Sequence, residues 1–264
     1  MTRPSPRAHF NSSRLTRFLT ENAMIDAAPV ADDVGQKLGD WLNFRHAIAL
    51  HGVLNPEQQP ATPQPAHLRR AGLMTAEALT RHVDKVRAQL EQSIAQGAPS
   101  GSGLTRIDMP PAELDEPIEP KTAFEPYRRF YAAHQRQMET SLQTLRSQVR
   151  GQLSKGSPSL QQLATLDAAF ENILSEREAL LLGKVAKLHE KRFAQALKHH
   201  LKSLAEPEKP SVSGPRATTT VTPGIWLMPL QQAMRSALMA ELDTRLQPTL
   251  GLLEAFQQEH TTSP

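Results

Sequence analysis

The chain has 264 residues, of which 39% are hydrophobic, only 5% aromatic and 21 proline, a profile that suits long helices joined by polar linkers. It has no cysteine, which excludes disulfides, thiolate catalysis and cysteine-ligated zinc and fits a reducing compartment. The net charge is only +3, but the signs are segregated: Arg3, Arg7, Arg14 and Arg17 crowd residues 1–20, acids dominate 108–125, and lysines dominate 184–202.

The basic N-terminus is followed by no apolar run of the length a secretory leader needs, and no segment approaches the roughly 18 apolar residues of a membrane span. No integral membrane segment is expected, and the expected location is the cytoplasm. Asn11, Ser12 and Ser13 are N-cap residues for a first helix through Leu15, Phe18 and Leu19 that ends before Pro29. A second helix is expected from Asp32 or Asp33 through Trp41, Leu42 and Ile48 to Leu54, so residues 1–54 form an N-terminal helical pair. Pro56, Pro60, Pro63 and Pro65 mark residues 55–66 as a linker.

Residues 67–97 read as a single helix, with Leu68, Leu73, Leu79, Val83, Val86, Leu90 and Ile94 at helical spacing. The acidic, proline-punctuated stretch 98–126 is expected to be extended and mobile. Residues 127–205 form a long helical hairpin: Phe130, Met138, Leu142, Leu145 and Val149 line its first arm, "SKGSPS" turns, and Ser157 caps a second arm that begins at Pro158. Residues 206–224 are a second linker. Residues 225–259 form a C-terminal helix packing on the hairpin, with Leu230, Met234, Leu238, Leu242, Leu246, Leu250 and Leu253 in steps of three or four and a kink at Pro248. No strand-like alternation of useful length occurs. The fold class is therefore all-α, an N-terminal pair plus long antiparallel helices.

"LHEKRF" at 188–193 begins like a zinc-protease motif, but the position four residues after His189 is Phe193, and His200 lies about 16 Å along the helix, too far to share an ion. His189, His199 and His200 are read instead as solvated residues of a basic helix, and adjacent histidines point about 100° apart, so they form no joint site. Phosphate-binding loops, dinucleotide turns and nucleophile elbows are missing from the sequence. The expectation is a non-enzyme without cofactor or metal.

Lys184, Lys187, Lys191, Lys198 and Lys202 fall within about a 60° sector of one helix. Such a row serves as a solvated face, as a partner for an acidic protein or for the chain's own 108–125 segment, or as a track for phosphates. Leu181, Val185 and Leu188 lie far around the same cylinder from Phe193, Leu197, Leu201 and Leu204, so the buried face is expected to switch near 189–192. A helix-turn-helix reading of "VADDVGQKLGDWLNFRHAIAL" is weakened by Asp40 and Arg45 at positions that should be apolar.

"FNSSRLTRFL", "LGDWLNFRHAIAL" and "AELDTRLQPTLGLLEAF" together resemble a bacterial family known only as domain of unknown function 3348. The resemblance spans nearly the whole chain. It implies no assigned activity and no catalytic residues, and it points to partners among envelope-associated, motor-like proteins. The function expected from the residues is a helical scaffold that binds a protein partner or itself through the amphipathic faces of 127–204 and 225–258. The alternative is a nucleic-acid-associated protein using Arg14, Arg17 and the five lysines.

Overall fold

The computed structural model describes residues 13–26, 39–55, 72–112, 114, 118–119, 122–205 and 224–262. The linkers predicted at 55–66 and 206–224, the helix-turn-helix segment up to residue 38, and Arg3 and Arg7 lie wholly or almost wholly outside these residues. The described elements are α1 (Arg14–Glu21), α2 (Phe44–Leu54), α3 (Ala76–Gln96), α4 (Glu125–Leu153), α5 (Pro158–Ala205), a 3-10 turn (Ile225–Leu227) and α6 (Met228–Thr262). No strand occurs among them, and the fold is all-α.

Several helices start where a side chain satisfies their first N–H groups. Ser13 caps α1 by accepting from the Thr16 amide at 3.0 Å, Thr75 caps α3, and the Ser157 hydroxyl accepts from Leu160 ahead of Pro158. On α4 the residues Tyr127, Phe130, Tyr131, His134, Met138, Leu142, Leu145, Val149 and Leu153 are all buried, an unbroken seam in steps of one, three and four. Leu79, Val83, Leu90 and Ile94 do the same on α3.

Polar ties fix the helix directions. Between α4 and α5, Arg128 meets Glu190, Gln135 meets the Leu182 carbonyl, Arg146 meets Asp167 and Arg150 meets Glu171. From Arg128 to Gln135 to the Arg146/Arg150 pair on α4, the partners on α5 fall from Glu190 to Leu182 to the shared Asp167/Glu171 pair, so the two helices run in opposite directions. Ser93 with Gln137 and His82 with Gln148 set α3 against α4 in the same way. Arg87 with Asp243 and Thr80 with Gln257 set α3 against α6. Four helices thus alternate in direction, with α6 the hub: it packs on α1, α3, α4 and α5. Its buried residues include Ala233, Met234, Ala237, Leu238, Ala240 and Leu242, which cover about 200° of the cylinder, and the alanines allow close approach. Pro248 sits inside α6, which continues through it.

Three expectations need correction. The two N-terminal helices are not a packed pair: among the described residues α1 lies on α6 and α2 on α5, and neither touches the other. The expected second helix is also interrupted at 42–43, where Asn43 turns extended and its side chain accepts from the His46 amide at 2.9 Å, starting α2 afresh. The proline-rich stretch after α3 is extended but not free. Leu104, Ile107, Met109, Ala112 and Leu114 pack on the core, and the carbonyls of Thr105, Pro110 and Pro111 accept from Gln137, Gln231 and Tyr127. Prolines keep this strap extended, and its apolar residues, diluted among acids in the sequence, hold it down.

The buried face of α5 does not switch either. Leu182, Val185, His189, Phe193 and Leu197 form one continuous buried seam. His189 supplies the missing step. Leu181, Leu201 and Leu204 are exposed.

Candidate functional site

Three groups of residues were candidates for function: the histidines of α5, the basic residues, and whatever the fold left apolar and uncovered. Of the histidines, His189 is wholly buried, against the expectation of a solvated ring, and sits 5.2 Å from the Tyr131 ring. His134 is buried as well, edge-on to Phe130. Neither imidazole has a hydrogen-bond partner among the described residues. Burial first, and then Arg235 beside His134 and Arg192 beside His189, lower both to about 4. Both rings therefore pack as neutral, flat core residues at neutral pH. His200 stacks on Trp226 with ring centroids 4.8 Å apart, while His199 is exposed. Among the described residues no cluster of histidines and carboxylates could hold a metal ion.

Next to His189 lies the one wholly buried carboxylate among the described residues, Glu241. It accepts from Tyr131 Oη at 3.2 Å, from Gln135 Nε2 and from Arg245, whose guanidinium reaches on to Glu178. Burial raises the Glu241 carboxyl and raises the Tyr131 hydroxyl well above its ordinary range, while Arg245, Gln135 and Tyr131 pull the carboxyl back down. With every lone-pair direction engaged by α4 or α6, this carboxylate works as a clamp between those helices. Sequence reasoning missed it because an acid on an otherwise apolar helix reads as solvent-facing.

The basic residues do not gather into one site. Lys184, Lys187, Lys191, Lys198 and Lys202 are all exposed along α5, opposite its buried seam. Arg14 is instead committed to Asp243 on α6 at 2.6 Å, beside Arg87, and Arg17 is exposed on the same short helix. Within the acidic stretch, Asp108 pairs with Arg106, and Glu125 with Arg128 and Arg129. Glu113, Asp115 and Glu116 lie outside the described residues.

The third candidate is apolar, and the sequence did not single it out. α2 reads "FRHAIALHGVL", with Phe44, Ile48, Leu50, Val53 and Leu54 spread over about 220° of the cylinder and Arg45, Ala49 and Gly52 on the remaining arc. So wide an apolar face belongs inside a protein. Yet no residue of α2 is buried, and Phe44 is 80% exposed. Its one described helical neighbour is α5, and there α5 is itself bare: no residue from 165 to 181 is buried, and 175–181 are exposed over nearly two turns. Between the two helices runs a groove of about 410 Å³ lined by Trp41, His46, Leu174, Arg177, Leu180 and Leu181. The Arg177 guanidinium lies 4.9 Å over the Trp41 ring. Trp41, Leu180 and Leu181 are exposed at this groove, and Phe44, Ile48 and Leu54 are exposed elsewhere on α2. A second set of exposed apolar residues, Leu201, Leu204, Ile225 and Met228, lies where α5 ends and α6 begins.

A family model described as a protein of unknown function (DUF3348) matches residues 1–258. The chain belongs to the DUF3348 family. No curated protein and no solved structure matches this DUF3348 chain. The match takes in all three quoted sequence blocks, and both the α2–α5 groove and the Glu241 clamp fall inside it. No described helix of this DUF3348 member is long and apolar enough to cross a membrane.

Proposed function

We propose that the chain is a cytoplasmic helical interaction protein, without catalytic activity of its own, that binds through the apolar surface of α2 and the bare middle of α5. The observation that carries this is α2 itself: a helix apolar over most of its circumference with no buried residue. At about 25 cal/mol per Å² of apolar surface, its side chains gain several kcal/mol only if something covers them. An isolated helix of 11 residues is marginal in water, so a covering partner would also order it. Native-state hydrogen exchange at low protein concentration tests the reading. The amides of α2 are expected to exchange far faster than those of α4 and α6. Protection of α2 equal to that of the core would mean that its surface is already covered within one chain, and the reading would fall.

The five exposed lysines of α5 support a second reading, binding to nucleic acid. It predicts duplex binding that weakens steeply with salt, with a slope reduced when Lys187, Lys191 and Lys198 become glutamine. No binding at low salt disposes of it.

A further inference from the structure

This inference rests on the interaction reading and names the partner. We infer that the surface formed by α2 and residues 173–184 of α5 is covered by the same surface of a second copy of the chain, related by a two-fold axis.

Area is the first argument. Summed over α2 and its groove, Trp41, Phe44, Ile48, Leu54, Leu180 and Leu181 expose on the order of 600 Å², comparable to the roughly 800 Å² each partner gives to a standard interface.

Charge is the second. The patch is flanked by both signs, with exposed Asp40 and Glu176 beside exposed Arg45, Arg177 and Lys184. A two-fold axis places each patch against its own copy, so only a surface carrying acid and base together can satisfy itself. The second apolar group fails this condition: residues 191–205 at the end of α5 carry Lys191, Arg192, Lys198 and Lys202 and no acid, so two copies of that end repel.

Room is the third. Because every residue of 175–181 keeps much of its surface open, α5 can hold its own α2 on one side and the partner copy's α2 on another. Two α2 helices and two α5 segments then form a four-helix layer in which Phe44 and Ile48 become interior residues.

Sedimentation velocity of the full chain over a micromolar concentration series tests this, alongside binding of an environment-sensitive apolar dye. A dimer is expected. Phe44→Glu and Ile48→Glu should each weaken it about thirtyfold or more without lowering helicity or the thermal midpoint, since neither side chain is buried in one chain, and Leu204→Glu should leave it intact. A wild-type dimer indifferent to both α2 substitutions overturns the inference. So does a wild-type monomer. If that monomer binds dye in a Phe44-dependent way, the surface is open to another partner and the interaction reading survives; if it binds none and α2 is protected from exchange, both fall together.

Discussion

At the scale of single residues, the buried polar groups give the sharpest predictions. His134 and His189 are both lowered to about 4 in the folded chain from the ordinary 6.5. Between those values the unfolded state binds more protons, so stability is complete above pH 6.5 and is lost as pH falls towards 4, on the order of 3 kcal/mol for each ring. Glu241 acts in the opposite sense, because burial raises its carboxyl and protonation favours the fold, but two rings oppose one acid. Chemical denaturation at pH 7.5 and pH 5 should therefore show a clear loss for the wild type and a smaller one for His189→Leu, which removes an unpartnered ring; equal losses would refute the assignment. Between α4 and α5, Asp167 accepts from both Arg146 and Arg150 in largely buried surroundings. Burial works against the charge of Arg150, but the hydrogen bonds it donates to Asp167 and Glu171 and their negative charge keep it above its ordinary value. Asp167→Asn should cost roughly 2–4 kcal/mol in denaturant unfolding, because it leaves two guanidinium groups short of charge.

For the elements, glycine gives opposite outcomes at two positions. Gly224 has φ of 84°, and a β-carbon there would overlap the Ala112 carbonyl of the extended strap. Gly224→Ala should lower stability by about 2 kcal/mol or more and loosen residues 104–112, seen as faster exchange there. Gly183 lies inside α5 with nothing near its missing side chain, so Gly183→Ala should raise stability by about 0.5–1 kcal/mol. In the sequence Gly224 follows Pro223 at the end of a linker and Gly183 interrupts a helix, but neither context shows whether a side chain would fit. What separates them is a strap more than a hundred residues away in the chain. The break at Asn43 has the same character in reverse: a capping side chain was present in the sequence, but the apolar positions on either side of it, Trp41, Leu42, Phe44 and Ile48, read as one continuous helix.

On the scale of the whole molecule, α6 is the element on which the rest depends, since α1, α3, α4 and α5 all lie against it. A chain ending at residue 226 should lose its cooperative thermal transition and most of its helicity, whereas a set of independent hairpins would keep both. The all-α class, the long arms of α4 and α5, the turn at Ser157–Pro158 and the course of α6 were all legible in the sequence, because apolar spacing and capping are local properties of the chain. Which residues meet was not. Burying His189 to complete the α5 seam, holding Glu241 against Tyr131 and Gln135, and pinning the proline-rich strap all depend on pairing separate segments, up to 121 residues apart for Pro110 and Gln231, which no local period encodes. The exposure of α2 was decided the same way: its composition asked for burial, and the tertiary arrangement left it on the surface, since the fold had already spent the faces of α4 and α6 on one another.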